Sequence, residues 1–425
     1  MTYPEAIQFL YGLRLFGAKF GLENTLKLAE LEGEPQKKLR FIHVAGTNGK
    51  GSTCAMLESI YRAAGLRVGL FTSPHLVSFR ERIQINHESI PEKEVVRLVD
   101  EFQVWLGQFP KDHHPTFFEV VTVMALEFFS DHACDVVIWE TGLGGRLDAT
   151  NIVTPLASVI TNIALDHQQW LGDTVEKIAF EKAGIIKPGV PVATATNDPE
   201  ALAVIKKIAT EKNAPLTVAS EAPLPAEFAD ALSLSGEYQK RNAALALATV
   251  KILQNEIPVL KPHLIAGLKN VRWPGRLQLI EHDGRKFLLD GAHNVAGAKA
   301  LREAIEKHFP AERRTLVLGI LDDKDWRQIC ELLAPLAENI LAVPVSSKRT
   351  ANPNELAEVC RTANPSAKIS VFGSLDEAFQ KMPLSSLIVV AGSLYLVGEA
   401  LELLGYFPPA ESERELNEWS GKPEN

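Results

Sequence analysis

The chain has 425 residues, of which 46% are hydrophobic and 23% are charged, and its formal net charge is −9. This length and composition can bury two hydrophobic cores, so we expect two domains. The acidic balance disfavours binding along nucleic acid, which requires a basic face, although local basic pockets can still bind small anions.

The sequence also predicts where the protein is found. Its first residues lack the basic segment and apolar run of a secretion signal, and no stretch is apolar for long enough to cross a bilayer. The four cysteines are far apart and lack the spacing of a metal site, which is typical of thiols in a reducing compartment. We therefore expect a cytoplasmic protein that binds neither nucleic acid nor membranes, and a monomeric one.

Strands and helices alternate over the first two thirds of the chain. The predicted strands cover residues 41–44, 67–73, 135–140, 156–163, 191–196 and 215–220, and the predicted helices cover residues 52–64, 91–108, 117–130 and 238–250. Several of these strands are apolar along their whole length, which indicates burial on both faces. Such strands, alternating with helices, predict a mainly parallel sheet.

A second alternating region follows a break in this pattern. Residues 271–285 contain Pro274 and Gly284, so we place the domain boundary there, between residues 1–274 and residues 277–425. After the break, predicted strands cover residues 287–290, 315–320, 339–344, 368–373 and 386–392, and predicted helices cover residues 296–308, 325–336, 353–362, 375–382 and 394–404.

The fold class predicted by both regions is α/β. An N-terminal P-loop ATPase-type domain with a mainly parallel sheet is expected, together with a smaller C-terminal Rossmann-like α/β domain. The tail from Phe407 is rich in proline and charge, and we expect it to be loosely ordered.

The turn after the first strand has the composition of a phosphate-binding loop. Its sequence VAGTNGKGST (44–53) lets the backbone fold tightly around phosphate oxygens, and Lys50 adds a positive charge at the start of a helix. The loop departs from the common Walker A pattern at two positions. Val44 stands at the first glycine position, and Gly51 separates the lysine from Ser52. A glycine-rich turn that binds no ligand is the alternative, and this combination of residues at a strand–helix junction disfavours it.

Motifs along almost the whole chain resemble those of one enzyme family. The loop G-T-N-G-K followed by a small residue is similar to that of the Mur ligase superfamily, and its G-K-G-S continuation is similar to that of the folylpolyglutamate synthases and bifunctional dihydrofolate synthases. Further matching segments are SPHLVSFRERI (73–83), PTFFEVVTVMAL (115–126), ETGLGGRLDATN (140–151), DHQQWLGDTVEKIAFEKAGIIKPG (166–189), PGR (274–276), LLDGAHN (288–294), GILDDKD (319–325) and AGSLYLVGE (391–399). One match could arise by chance, but this many in register make the resemblance specific.

The resemblance implies a ligase that uses ATP to add L-glutamate to a folate, as a tetrahydrofolylpolyglutamate synthase, and to dihydropteroate, as a dihydrofolate synthase. A carboxylate would attack the γ-phosphate of ATP to give an acyl phosphate, from which the glutamate amine would displace phosphate. The first step brings two anions together, so positive charge must lie between them, from Lys50 and a divalent ion. The expected partners are ATP, L-glutamate, a reduced folate and dihydropteroate, with Mg²⁺ as cofactor.

Three ligand-type residues follow predicted strands, at the edge where open α/β sheets bind ligands. Ser73, Glu140 and His167 each lie at or just after the carboxyl end of a strand. The resemblance implies that they hold magnesium. Taken alone, Glu140 could be a solvated or capping acid and His167 a structural histidine. Imidazole is also an unusual ligand for magnesium, which prefers oxygen.

The resemblance also implies roles in catalysis and in nucleotide binding. The implied catalytic residues are Lys50, Lys182 and His293. The implied ATP-binding residues are Thr47, Asn48, Gly49, Lys50, Gly51, Ser52, Asn242, Arg276 and Asp290. The lysine that matches Lys182 is commonly carbamylated in the family; an unmodified lysine could instead contact phosphate, and an exposed helix lysine is the plainer alternative. Because Arg276 lies on the linker and Asp290 in the second domain, ATP would lie between the domains, and closure would keep water from the acyl phosphate.

Substrate-binding residues are implied in both domains. Those for the folate or dihydropteroate are Thr116, Phe117, Phe118, Glu119, Leu147, Asp148 and Ala149. Those for glutamate are His293 and Ser393. Aromatic rings suit a flat pterin, but Phe117 and Phe118 fit the buried start of a helix equally well, and Ser393 fits a helix N-cap. Asp148 is the candidate for a contact used more by dihydropteroate than by a folate.

Two other functions fit parts of the sequence. A Mur ligase that acts on another carboxylate would share the loop and the chemistry, but it would carry an N-terminal domain for a UDP-sugar, and the loop begins here at Gly46. A P-loop protein that binds nucleotide without catalysis would need no second domain contributing Arg276 and Asp290. That function also leaves the SPHL, DHQQWLG and DGAHN segments unexplained.

Overall fold

The structure of the protein, a computed structural model, describes residues 1–17, 21–219, 223–383 and 386–417. Its first sheet has eight strands in the order β4-β3-β2-β5-β1-β6-β7-β8. These strands are β1 (Phe41–Ala45), β2 (Val68–Phe71), β3 (Ile83–Ile85), β4 (Glu88–Ser89), β5 (Val136–Glu140), β6 (Ala157–Ile160), β7 (Val192–Thr194) and β8 (Leu216–Val218). Six of them are parallel, and β3 and β4 add an antiparallel edge beside β2.

The middle strand of this sheet is β1, which lies between β5 and β6. Val44 is in register with Glu140, and Ala45 is in register with Ile160. The carboxyl ends of the three strands therefore meet at one edge of the sheet. The loops that follow them come together there, as expected for a ligand site of an open α/β sheet.

Helices cover both faces of the first sheet. They are α1 (Tyr3–Gly12), α2 (Glu23–Leu31), α3 (Lys50–Ala63), α4 (Glu92–Leu106), α5 (Phe117–Asp131), α6 (Gln168–Leu171), α7 (Val175–Ala183), α8 (Pro199–Glu211), α9 (Ala226–Ala231), α10 (Glu237–Ile252) and α11 (Lys261–Asn270). Val137 and Trp139 of β5 pack with α1, α2, α4 and α5, whereas Val136 and Ile138 pack with α3, α10 and α11. The strand is apolar at every position because each face is buried under its own layer of helices.

The second sheet has six strands in the order β13-β12-β11-β14-β10-β9. They are β9 (Gln278–His282), β10 (Arg285–Asp290), β11 (Arg314–Leu318), β12 (Asn339–Ala342), β13 (Lys368–Val371) and β14 (Leu387–Ala391). The helices around them are α12 (Val295–His308), α13 (Trp326–Leu333), α14 (Pro353–Ala363), α15 (Leu375–Lys381), α16 (Leu394–Leu403) and α17 (Glu411–Arg414). Only β9 is antiparallel to its neighbour. The predicted fold class, two α/β domains with mainly parallel sheets, is confirmed.

Two local predictions were wrong. No strand was predicted within residues 271–285, but this segment contains β9, which forms a hairpin with β10 around Gly284; its short run of alternating exposed and buried residues resembles a loop in sequence. The tail expected to be loosely ordered is packed as far as Asn417, because Arg414, Leu416 and Asn417 are buried. No described helix is long and apolar enough to cross a membrane.

Candidate active site

The predicted phosphate loop joins β1 to α3 and has a backbone that requires glycine. Gly46 and Gly49 both have positive φ, at 150° and 86°. A Cβ atom on Gly46 would lie 1.8 Å from Thr161 Oγ1, so no larger residue fits there. Thr161 Oγ1 in turn donates to the Asn48 carbonyl at 2.7 Å, and Asn48 N donates to Asn162 Oδ1 at 2.7 Å. The segment after β6 therefore holds the loop after β1 in shape.

The start of α3 presents its first N–H groups and a lysine to the same space. Lys50 is the first residue of the helix, and its Nζ donates to the Gly46 carbonyl at 3.1 Å. Ser52 is buried and accepts from Gln239 Nε2 at 3.2 Å. Asn242 lies so close to Gly49 that a Cβ atom on Gly49 would be 2.5 Å from Asn242 Oδ1. A helix N-terminus whose first residue is a lysine is suited to bind an anion.

The three residues expected to hold magnesium all line the same cleft. Burial raises the pKa of Glu140 to about 7, although the nearby charge of Lys50 lowers it in part. Glu140 Oε2 accepts a hydrogen bond from Ser73 N at 3.1 Å. His167 has a positive φ of 50°, and burial lowers the pKa of its imidazole to about 3, so the ring is neutral at physiological pH.

These residues fit only part of a magnesium site. The described parts of the chain contain no group of three or more His, Cys, Asp or Glu side chains arranged to hold a metal ion. Magnesium, however, commonly binds through one or two carboxylates together with substrate phosphates and water. One buried carboxylate beside a phosphate loop, as at Glu140, agrees with that arrangement.

Lys182 projects from α7 to the phosphate loop. Its Nζ donates to the Gly46 carbonyl at 2.8 Å, and the residue is 4% exposed. Burial, together with the charge of Lys50, lowers the pKa of Lys182 to about 7. The alternative of an exposed helix lysine is therefore wrong, and the lowered pKa favours the uncharged amine more than in an ordinary lysine.

Asp166 was missed from the sequence, although it directly precedes His167. It accepts from Lys324 Nζ at 2.7 Å and from Asn294 Nδ2 at 3.0 Å, and both partners belong to the second domain. Burial alone would raise the pKa of Asp166, but the charge and the hydrogen bond of the Lys324 ammonium hold it well below its usual value. Asn294 also exchanges two hydrogen bonds with the Asn48 amide of the phosphate loop, at 2.9 and 3.2 Å. The two domains therefore meet directly beside the loop.

The second domain contributes three of the predicted residues, and the linker contributes Arg276. Asp290, at the end of β10, accepts from Leu277 N and Ala292 N at 2.9 Å each, so its carboxylate fixes the linker beside Arg276. Burial raises the pKa of Asp290, although the charge of Arg276 lowers it in part. His293 Nδ1 lies 2.7 Å from the Gly291 carbonyl, and burial lowers the pKa of His293 to about 4.

Ser393, the third of these, is the N-cap of α16. Its hydroxyl accepts from Tyr395 N at 3.1 Å. The side chain is buried and also lines the cleft.

The predicted pteroyl region is built mainly by helix caps and loop contacts. Thr116 and Glu119 form a capping box at the start of α5, with Thr116 N donating to Glu119 Oε2 at 2.7 Å. This T-x-x-E signature is local and could have been found in the sequence. Phe117 is buried, whereas Phe118 is half-buried and covers Gly142.

Asp148 accepts hydrogen bonds from its own loop. Leu143 N donates to Oδ2 at 2.7 Å, and Thr150 N donates to Oδ1 at 3.0 Å. The Thr150 hydroxyl also donates to Oδ1 and lies 2.9 Å from His43 Nε2 in the core. The carboxylate therefore shapes the loop between β5 and β6, on which Leu147 and Ala149 also face the cleft.

One cleft of about 800 Å³ between the two sheets brings the predicted residues together. Its lining includes Thr47, Asn48, Gly49, Lys50, Gly51, Ser52, Ser73, Thr116, Phe117, Phe118, Glu119, Glu140, Leu147, Asp148, Ala149, His167, Lys182, Asn242, Arg276, Asp290, His293 and Ser393. Asp166, Lys324 and Arg82 line it too and were not expected. Basic residues at the loop, an acid at a strand end and a second domain across the opening form a site suited to nucleotide chemistry.

Comparison with known families gives two matches that together cover most of the chain. Residues 44–260 match the Mur ligase middle domain, and residues 275–394 match the Mur ligase glutamate ligase domain.

Individual relatives match over nearly their whole length. The dihydrofolate synthase/folylpolyglutamate synthase of Bacillus subtilis is 36% identical over 422 residues, which cover 94% of this chain and 98% of the relative. The crystal structure of folylpolyglutamate synthase from Thermotoga maritima superposes with a TM-score of 0.83 at 34% identity, covering 97% of this chain and 99% of that one. The structure of FolC from E. coli in complex with DHPP and ADP superposes with a TM-score of 0.80 at 30% identity, covering 96% and 98%.

Proposed function

The chain belongs to the Mur ligase family, among its folylpolyglutamate synthases and dihydrofolate synthases, and from this premise we propose how its cleft works. The protein is an ATP-dependent ligase that adds L-glutamate to folates, and we assign dihydropteroate as a second acceptor. One observation carries this proposal. The phosphate loop, Glu140 and Lys182 of the first domain share a single cleft with Asp290, His293 and Ser393 of the second.

Activation of the acceptor carboxylate takes place at the phosphate loop. The N–H groups at the start of α3 and the Lys50 ammonium bind the phosphates of ATP, and Arg276 adds charge from the linker. Thr47, Asn48, Gly49, Gly51, Ser52, Asn242 and Asp290 complete the nucleotide site. The carboxylate attacks the γ-phosphate, the bond to the β-phosphate oxygen breaks, and ADP and an acyl phosphate are formed.

Magnesium is the cofactor that this step calls for. Glu140 would hold it, with Ser73 and His167 beside the carboxylate, and the ion would neutralise charge on the transferring phosphoryl group. The carbamate form of Lys182 would add a second anionic group near the loop. Both assignments rest on the placement of these side chains in one cleft with Lys50.

The incoming glutamate binds on the side of the second domain. His293 Nδ1 donates to the Gly291 carbonyl, so His293 Nε2 is free to accept a hydrogen bond. This Nε2 lies 3.7 Å from Asp166 Oδ2. Two acceptors so close together suit the ammonium group of an amino acid. Ser393 lies at the N-terminus of α16, where a carboxylate is stabilised. The amine attacks the acyl carbonyl and phosphate leaves, which completes the amide.

The pteroyl group lies in the remaining part of the cleft, beside α5 and the loop between β5 and β6. Thr116, Phe117, Phe118 and Glu119 form one wall, and Leu147, Asp148 and Ala149 form another. We further propose that the domains are residues 1–274 and 277–425, because the Leu277–Asp290 hydrogen bond ties the linker to the second sheet. The protein acts as a monomer, since both halves of the cleft come from one chain.

A phosphate-release assay tests the function. Wild-type protein with ATP and magnesium should release phosphate with tetrahydrofolate and with dihydropteroate, in each case only when glutamate is present. The Lys50→Ala variant, checked for folding by circular dichroism, should release none, because positive charge at the γ-phosphate is lost. Release that does not depend on glutamate or on a pteroyl acceptor would contradict the proposal, and activity with tetrahydrofolate alone would leave only the polyglutamating enzyme.

A further inference from the structure

The last described segment of the chain crosses back to the first domain. Residues 410–417, which we call the C-terminal strap, follow α16. Arg414 is paired with Glu402 near the end of that helix, which ties the strap to the second domain. On its other side the Glu413 carboxylate accepts from Phe79 N at 2.7 Å and from two hydroxyl groups of the first domain. The strap therefore connects the second domain to the turn that precedes β3.

Asn417, at the end of the strap, holds a buried arginine. Arg82 Nη2 donates to Asn417 Oδ1 at 2.6 Å, and Asn417 Nδ2 donates to the His75 carbonyl at 3.0 Å. Arg82 Nε donates to His75 Nδ1 at 2.8 Å. Burial and the charge of Arg82 hold the pKa of His75 well below its usual value, so this imidazole is neutral. Its Nε2 then donates to the Glu413 carbonyl at 2.9 Å. The guanidinium is therefore fixed from two sides.

Arg82 is a buried cation at the wall of the cleft. It is 3% exposed, lines the cleft, and its Cζ lies 5.4 Å from the centre of the Phe117 ring. Burial lowers the pKa of Arg82 to about 10, so it stays charged at neutral pH. Within the described ranges, none of the ion pairs involves this guanidinium, and its two side-chain hydrogen bonds go to neutral partners. The carboxylates of Glu81 and Glu140 act on this charge only without direct pairing. A buried guanidinium that forms no ion pair is costly, and the N–H groups that remain can bind an anion.

We propose that Arg82, positioned by His75 and Asn417, binds the α-carboxylate of the terminal glutamate of a folate, the carboxylate that does not react. This inference rests on the proposed function. The reacting carboxylate must lie at the phosphate loop, where Lys50 and Arg276 supply the charge. Arg82 lies instead beside Phe117, on the wall assigned to the pteroyl group, and its planar fork matches a carboxylate.

The consequence is a difference between the two acceptor substrates. A folate presents two carboxylates on its glutamyl group, of which one reacts and one does not. Dihydropteroate presents only the carboxylate that reacts, so it has no group for Arg82 to bind. Arg82 is then a substrate-binding residue for folates, and Asn417 is a positioning residue that acts through it. The strap makes this part of the site depend on the second domain.

Steady-state kinetics with both acceptors test the inference. Asn417→Ala should raise the KM for tetrahydrofolate about tenfold, because a hydrogen bond to a charged group is lost. Arg82→Gln should raise it about 100-fold, and Arg82→Lys should lie between these values, because a point charge remains without the planar fork. The KM values for dihydropteroate, ATP and glutamate should change by less than about threefold. Asn255→Ala, which alters an exposed asparagine, is the matched control.

A second variant separates anion binding from the docking of the strap. Asn417→Asp places a carboxylate against Arg82, so the strap stays attached while the guanidinium gains an internal counter-ion. The KM for tetrahydrofolate should then rise at least as much as in Asn417→Ala, with no fall in the melting temperature. If Asn417 were only structural, Asn417→Asp would resemble wild type.

Two results would overturn the inference. One is a folded Asn417→Ala or Arg82→Gln variant with unchanged KM for tetrahydrofolate. The other is an equal loss with tetrahydrofolate and dihydropteroate, which would make Arg82 a general structural residue. Failure of the proposed function looks different, because the wild type would then show no glutamate-dependent phosphate release with either acceptor.

Discussion

Lys182 shows at the residue scale how burial creates reactivity. An ordinary lysine is protonated at pH 7, and a protonated amine does not react with carbon dioxide. Here burial and the charge of Lys50 lower the pKa of Lys182 to about 7, so the uncharged amine is present across the neutral range. The amine can then add to carbon dioxide and release a proton, which gives a carbamate. The fold thus supplies the condition for the modification.

Carbamylation of Lys182 can be tested by mass and by rescue. Native mass spectrometry at pH 8 should show an added carbon dioxide that is lost on acidification below pH 7, as the free amine becomes protonated. Lys182→Ala should lower kcat about 100-fold, and acetate should restore part of the activity by supplying a carboxylate. Lys177→Ala, an exposed lysine on the same helix, is the control. A bare amine in fully active enzyme would refute the modification.

Glu140 is the only carboxylate among the three residues assigned to magnesium, so its charge should matter most. Glu140→Gln keeps the shape of the side chain and its contact with Ser73 but removes the negative charge. We expect a higher magnesium concentration at half-maximal rate and a fall in kcat of about 100-fold. A magnesium titration of both proteins measures this, with the exposed Glu176→Gln as control. An unchanged titration would show that Glu140 is a structural acid.

At the scale of single elements, the loop between β5 and β6 gives a result that the sequence did not suggest. Asp148 was expected to contact dihydropteroate more than a folate, but its carboxylate accepts three hydrogen bonds from Leu143 and Thr150. Thr150 connects it to His43 in the core. The carboxylate therefore holds the loop in shape, and we infer that this shape matters for both acceptors.

We therefore expect Asp148→Ala to lower the activity with tetrahydrofolate and with dihydropteroate by the same factor, about tenfold. Thr150→Val removes the hydroxyl that joins Asp148 to His43 and should have a similar but smaller effect. Relative kcat/KM for the two acceptors checks this in both variants. A loss confined to dihydropteroate would restore the direct contact as the better explanation.

Elements were predictable where the signal was local. The continuous apolar pattern of β5 follows from burial on both faces, and the glycines at positions 46 and 49 follow from the backbone of the phosphate loop. The capping box of Thr116 and Glu119 is equally local and was overlooked. The hairpin of β9 and the packed strap were not predictable in this way, because their stability comes from partners far away in the chain.

At the scale of the whole molecule, the sequence indicated which residues share a sheet edge but not how the domains meet. Strand ends converge by topology, so Glu140 and the segment after β6 could be placed beside the phosphate loop. Asp166 and Lys324 are 158 residues apart, and no local pattern pairs them. The only signal in the sequence that could have identified Asp166 is its position directly before His167, a ligand-type residue.

The contact between Asp166 and Lys324 should control how the domains close. Both side chains are 9% exposed, so the pair is shielded from salt, and the lowered pKa of Asp166 keeps its carboxylate charged at neutral pH. Lys324→Met leaves a buried carboxylate without its cation, at a cost of about 3 kcal/mol in the closed form. Opening the cleft relieves that cost by returning the carboxylate to water. We therefore expect Lys324→Met to have a larger radius of gyration by small-angle scattering and a KM for glutamate that is raised about tenfold. The control variant Lys348→Met, which alters an exposed lysine, should leave both quantities unchanged. Scattering and KM identical to wild type would show that this pair does not hold the domains together.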